Sequence, residues 1–276
     1  MINHIAAISF SPTGRTETLV REFGKQLAQR FQEEGVTLDF HSFTLPKDQD
    51  TLHSFGPHTL VVFGMPTYAG RIPNKALPFV QKLFSGDPDR KTPAVALVTF
   101  GNRSYDSSLT ELRDELEKKD FLVFAAGAIA APHAFAAIGR EHPTEEDRAR
   151  FRELLDRTEA RLRSGKPLER VVIKGDAPVA PYYIPLGEDG QPAKFLKAKP
   201  KTDLTRCDHC GKCAKVCPMG SINPDNTDEV PGICIKCQAC IQYCPQGAKY
   251  FDDPRFLSHK AMLEKSYQRT AGSEVF

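Results

Sequence analysis

The amino-acid sequence predicts an α/β protein in which a doubly wound, five-stranded parallel sheet is followed by a second, small α+β domain carrying every cysteine. Three observations support this. Short apolar segments alternate with segments of helical period as far as residue 165. Two of the apolar segments are continuous, as expected of parallel strands covered by helices on both faces. All eight cysteines lie between Cys207 and Cys244. A chain of 276 residues also exceeds the usual size of one domain. The expected organisation is a sheet domain over 1–165, an extended linker over 166–201, a cysteine domain over 202–252 and a C-terminal tail over 253–276.

The first strand runs from Ile2 to Ile8 and is bounded at Phe10. Apolar residues then recur at Leu19, Phe23, Leu27 and Phe31, one face of a helix, with Gly35 as its expected C-cap. Val36, Leu38 and Phe40 alternate with polar residues, which marks a strand with one wet face. Thr59 to Phe63 and Ala94 to Val98 are the continuously apolar strands, and Phe121 to Ala126 is the fifth. A helix starts near Asn74 and carries Leu77, Val80 and Phe84. The next carries Leu109, Leu112 and Leu116 with Asp106 as N-cap, and the last carries Phe151, Leu154, Leu155 and Leu162 after Thr144. In a sheet of order 2-1-3-4-5 the second strand is an edge, in agreement with its alternation. Ser164 to Pro167 ends the domain.

The linker is rich in proline and carries Lys194, Lys197, Lys199 and Lys201, read either as a solvated tether or as a docking surface for an acidic redox partner. The tail is polar with one short helix. With 40% hydrophobic and 26% charged residues the composition is that of an ordinary soluble protein, and a net charge of +2 is too small to imply nucleic-acid binding. The apolar run from Phe121 to Ile138 is interrupted by Gly127, Pro132 and His133, so no membrane span is expected. No signal-peptide pattern opens the chain, and a cytoplasmic location is expected.

Each half of the cysteine block reads C-x-x-C-x-x-C-x-x-x-C-P, which resembles the run of bacterial ferredoxins. Three close thiolates there hold one 4Fe-4S cluster, and the cysteine before proline crosses to the other. The resemblance implies that Cys207, Cys210, Cys213 and Cys244 hold one cluster and Cys234, Cys237, Cys240 and Cys217 the second. Zinc would need only four ligands per ion and has no use for a third C-x-x step. Disulfides do not suit a reducing compartment. Asp208 and His209 stand between ligands as surface groups or as neighbours of the sulfurs.

Parallel sheets bind ligands at loops leaving the carboxyl ends of their strands. After the first strand, Ser11-Pro12-Thr13-Gly14-Arg15-Thr16 offers hydroxyls, a tight glycine and a helix start suited to a phosphate. A P-loop is a poor match, because its glycine and lysine spacing is missing. This loop resembles the S-x-T-G-x-T loop of flavodoxins, which wraps the phosphate of FMN; Arg15 stands where common flavodoxins have asparagine. Gly64-Met65-Pro66-Thr67-Tyr68-Ala69-Gly70 resembles the loops that border the ring in flavodoxin-like reductases. Gly101-Asn102-Arg103-Ser104-Tyr105 is similar to the flavodoxin segment whose tyrosine stacks on the ring. The resemblance therefore implies FMN held by the first loop, by Pro66 to Gly70 and by Gly101 to Tyr105, with Tyr68 and Tyr105 beside the ring. The chain has no tryptophan, so one usual ring partner is replaced or absent. His133, after the fifth strand, is read as a satisfied or exposed histidine, with approach to the flavin or a cluster as the sharper alternative.

Together the segments resemble a flavodoxin-ferredoxin fusion. Such a chain is expected to be an electron relay joining FMN, which takes one or two electrons, to two one-electron clusters. Its expected partners are redox proteins of ferredoxin, flavodoxin or oxidoreductase type. A flavin oxidoreductase fed by NAD(P)H or acting on a small substrate is the alternative, and clusters serving only as folding staples are a third reading.

Overall fold

The computed structural model describes residues 2–174 and 178–276. Five strands, β1 (His4–Ser9), β2 (Thr37–Ser42), β3 (Thr59–Pro66), β4 (Thr92–Phe100) and β5 (Phe121–Ala130), pair in parallel. A sixth, β6 (Glu274–Val275), is antiparallel on β5, so the sheet order is β6-β5-β4-β3-β1-β2. The five parallel strands thus follow the expected order, and β2 is an edge strand whose residues are all half-buried or exposed. Their arrangement is the flavodoxin-like doubly wound fold.

Helices α1 (Arg15–Arg30) and α4 (Glu145–Arg163) cover one face, where Val20, Phe23, Leu27, Leu154 and Leu155 pack on Ile5, Val62 and Leu97. Helices α2 (Leu77–Leu83) and α3 (Ser108–Glu117) cover the other, where Val80, Leu109, Leu112 and Leu116 meet Phe63, Ala96 and Val98. Burying each such Val, Leu or Phe contributes about 1.5–3 kcal/mol, enough to make the apolar period decisive for which face turns inward. Thr144 caps α4 in a reciprocal box with Asp147, as its sequence position suggests. Three boundaries differ from expectation. Gly35 closes a short 3-10 turn (Gln32–Glu34) instead of α1. Phe84 leaves α2 for a two-residue strand. The cap of α3 is Ser107, because Asp106 turns away to pair with Arg103.

The connector is extended, yet it does not hang free. Val171 and Ile173 are buried in the core beneath α3, and Tyr183 N–H bonds the Ala69 carbonyl at 2.8 Å. The tail also returns to the sheet: α7 (Pro254–Ser266) lies beside the connector, and β6 covers the edge of β5. Asn102 explains this return. Its side chain is fully buried, donating to the Tyr267 and Arg269 carbonyls at 3.0 and 2.8 Å and accepting from the Ala271 N–H at 2.9 Å. Among the described residues no helix is long and apolar enough to cross a membrane.

The cysteine module has two short helices, α5 (Lys212–Lys215) and α6 (Ala239–Gln242), and a two-stranded ribbon joining Lys201–Thr202 to Lys249–Tyr250. It is docked on the carboxyl end of the sheet. Gln242 Nε2 donates to the Thr13 carbonyl at 3.1 Å, and Gln49 Nε2 to the Pro218 carbonyl at 3.2 Å. Of the four linker lysines, Lys199 binds the Val230 carbonyl at 2.6 Å and Lys201 pairs with Asp252 at 2.7 Å, so these two brace the module.

Candidate functional site

The first loop is preorganised by its own hydroxyls. Ser11 N–H donates to Thr44 Oγ1 at 2.8 Å, and Ser11 Oγ accepts from the Glu17 N–H at 3.0 Å. Gly14 takes a left-handed conformation with φ of 82°, which only glycine adopts without strain, and so turns the chain into α1. The Thr16 and Thr99 hydroxyls meet at 2.7 Å, tying this loop to the end of β4. Arg15 is half-buried, and among the described residues it has no ion-pair partner. Burial lowers its pKa, the mark of a cation with no charge to balance it.

This loop opens on a cavity of about 690 Å³. Ser11, Pro12, Thr13, Arg15 and Thr16 line it, as do Pro66, Thr67, Tyr68 and Ala69 from the loop after β3 and Gly101 and Arg103 from the loop after β4. Thr67 N–H bonds the Thr99 carbonyl at 2.7 Å, and its hydroxyl meets Ser108 at 2.6 Å, fixing the second loop. Burial, reinforced by Cys237 and Cys234 and opposed by Arg15, pushes the Tyr68 phenol well above its ordinary range. Tyr68 thus stands between the phosphate-type loop and the cysteines. Arg103 stacks over Tyr183 at 4.2 Å.

Five of the expected contacts lie elsewhere. Tyr105 does not border the cavity; it packs on Phe100 and its hydroxyl donates to Glu274 of β6 at 2.9 Å, because the returning tail offers it a carboxylate. Asn102 turns inward to the tail, and Ser104 accepts from the Asp106 N–H within its own turn. Gly14 faces the Tyr243 hydroxyl and Gly70 faces Asp106. Other residues take the vacant positions on the wall: Tyr182, Tyr183 and Phe195 from the connector, His259 and Leu263 from α7, and His133. His133 is singled out in the sequence by its place after the fifth strand; for Tyr182, Tyr183 and Phe195 the aromatic content of the connector is the sequence signal.

A further wall of the cavity is Ile233 to Lys236, inside the cysteine module. Cys217, Cys234, Cys237 and Cys240 surround a separate small cavity together, the same four that the ferredoxin run assigns to one cluster. N–H groups of Ser221 and Lys236 donate to the sulfurs of Cys217 and Cys234 at 3.3 and 3.4 Å. Ala248 N–H donates to Cys244 at 3.2 Å. Burial pushes the Cys240 thiol up to about 12 and that of Cys237 higher still, so holding iron requires displacing protons. Cys210 is exposed, and Cys207 and Cys244 are partly so.

Two family models, each described as a 4Fe-4S binding domain, match residues 199–222 and 231–247. An uncharacterized ferredoxin of Methanocaldococcus jannaschii is 37% identical over 73 residues, which cover 25% of this chain and half of that relative's length. Among solved structures, a flavodoxin from the domain Archaea superposes with a TM-score of 0.38 at 12% identity, covering 56% of this chain and 96% of its own. Flavodoxin 1 of Bacillus cereus gives 0.37 at 14% identity, covering 56% and 95%. The rubredoxin:oxygen oxidoreductase of Desulfovibrio gigas gives 0.36 at 19% identity, covering 58% and 37%. By strand order and cysteine module, this chain joins a flavodoxin-like domain to a ferredoxin-type domain with two 4Fe-4S binding segments.

Proposed function

We propose that the protein is an internal relay in which FMN, held in the cavity, exchanges electrons with the two clusters and through them with external redox proteins. The observation that carries this is the composition of one cavity wall. The three loops at the sheet's carboxyl end and the segment from Ile233 to Lys236 line the same space, so a ring bound there lies against the ligand segment of one cluster.

The residues fit FMN. Ser11, Thr13, Arg15 and Thr16 would hold the phosphate: the helix start directs N–H groups at it, and Arg15 supplies the missing counter-charge. Tyr68, Ala69 and Gly101 would border the ring. When bound, FMN supplies the step between two-electron and one-electron chemistry. Cys217, Cys234, Cys237 and Cys240 would hold the near cluster. Cys207, Cys210, Cys213 and Cys244 would hold the far one, whose exposed edge faces partners of ferredoxin, flavodoxin or oxidoreductase type. The chain's own task is placement: burial, N–H···S bonds and excluded water set each potential.

An anaerobic titration of the cofactor-loaded protein tests this, following flavin and iron-sulfur absorption separately. Reduction by dithionite or a reduced ferredoxin, with NADH and NADPH inert, is the expected result. Rapid bleaching by a pyridine nucleotide would replace the relay by a flavin reductase. Iron without flavin at any FMN concentration would end both readings.

A further inference from the structure

His133, on the cavity wall, has its orientation fixed from three sides. Its Nδ1 accepts the Ala136 N–H at 3.1 Å, with the Phe135 N–H at 3.4 Å, so the ring proton resides on Nε2. The Phe135 ring stands edge-on at 4.5 Å, braced in turn by Phe256 of α7. Below lies Gly101, where a Cβ would come within 2.6 Å of His133 Cδ2 and 2.8 Å of its Cα. Glycine at 101 is thus required by the close approach of the histidine. Burial, and then repulsion by His259, Arg103 and Arg15, lowers the pKa of His133 to about 3, keeping the ring neutral. Nε2 has no hydrogen-bond partner among the described residues, although the ring lines the cavity.

We propose that His133, in the loop after β5, is a preorganised donor whose Nε2–H bonds the polar edge of the flavin ring. This rests on the FMN reading of the cavity. A donor held in place before the ligand arrives favours whichever redox form carries more negative charge, and in flavins that is the reduced form. His133 therefore tunes the potential upward without itself transferring a proton.

The test uses the full-length, cluster-loaded protein and FMN, comparing wild type with His133→Leu, His133→Gln and Gly101→Ala. Dissociation constants for oxidised and reduced FMN and the two-electron midpoint potential are measured. His133→Leu is expected to weaken binding of the reduced form about tenfold relative to the oxidised one, a fall of about 30 mV. His133→Gln, which keeps an N–H donor, should recover part of this loss. Gly101→Ala, which displaces the ring without removing it, should shift the potential in the same direction and serves if His133→Leu does not fold. Stoichiometric FMN with an unchanged potential in His133→Leu, or in Gly101→Ala if the first does not fold, would overturn the role of His133 and leave the FMN reading standing. A wild type that binds no FMN would overturn both. Imidazole ¹⁵N resonances showing the proton on Nδ1 would overturn the proposal independently of any ligand.

Discussion

At the scale of single residues, charge balance in the cavity leads to two predictions. Arg15 is a half-buried cation that no carboxylate balances among the described residues. Replacing it by glutamine should weaken FMN about 10–100-fold, the worth of a charge-assisted hydrogen bond, while leaving riboflavin, which lacks the phosphate, unchanged. Equal losses for both flavins in a fluorescence titration would remove Arg15 from the phosphate site. His133 gives a pH signature. An unfolded histidine ionises near 6.5, whereas the folded one does so at about 3, so the unfolded chain binds the extra proton between these values. Stability is therefore fully present above pH 6.5, falls as the pH drops through that window and levels off near 3. His41, His53 and His259 are shifted in the same direction, so the contribution of His133 is isolated by difference. Denaturant unfolding at pH 7 and pH 4 should show a smaller acid loss in His133→Gln than in wild type. The contrast between Tyr68 and Tyr105 shows what sequence could reach at this scale. Both occur in loops of the right type, but Tyr105 is drawn away by Glu274, 169 residues later, a partner that no local motif contains.

At the scale of elements, the strands and helices of the sheet domain were legible because apolar period and capping chemistry act locally. The C-terminal return was not. β6 is two residues long, too short to show a period, and its docking depends on Asn102, whose neighbours in sequence suggested a flavin loop. Asn102 sits at φ 60°, a left-handed conformation asparagine tolerates better than most residues. Its Oδ1 also lies 3.1 Å from Nε2 of buried His142, which is bound at its other nitrogen to Asp147 at 2.6 Å. Asp147 also accepts from the Ser273 hydroxyl, whose oxygen accepts the Ala130 N–H at 2.9 Å. One amide thus links the β4 loop, the start of α4 and the tail. Asn102→Ala leaves two carbonyls and an N–H unpaired in a buried site and should cost about 3 kcal/mol in chemical denaturation. Amide exchange should quicken first at Ala271 to Phe276 and along the uncovered edge of β5. A variant that loses stability uniformly, with the tail still protected, would contradict this latch. The connector carries a related lesson: its prolines suggested an extended path, but only the fold shows that Tyr182, Tyr183 and Phe195 wall the cavity.

At the scale of the whole molecule, the cysteine spacing was the most legible feature, because ligation to iron requires that spacing whatever the surrounding fold. Which cluster faces the flavin domain was not, since it depends on how the module docks through Gln242 on Thr13 and Gln49 on Pro218. The docked geometry gives the four-cysteine set around Cys234 the position beside the cavity and leaves Cys210 at the surface. The two ends of the relay are therefore separable by mutation. On the proposed assignment, Cys217→Ala removes a ligand from the near cluster, and Cys210→Ala removes one from the far cluster. Each should lower the iron content by about half if each set holds one cluster as proposed. Their kinetics should differ. After a flash that photoreduces the flavin, wild type should show fast bleaching of cluster absorption followed by reduction of an added acceptor protein. Cys210→Ala should keep the fast intramolecular phase and lose transfer to the acceptor. Cys217→Ala should lose the fast phase itself, since the remaining cluster lies beyond the one removed. If Cys217→Ala instead kept the fast phase and Cys210→Ala abolished it, the set around Cys207 would be the near cluster and the order of the two clusters would be reversed. If both kept it, the clusters would receive electrons in parallel, not in series.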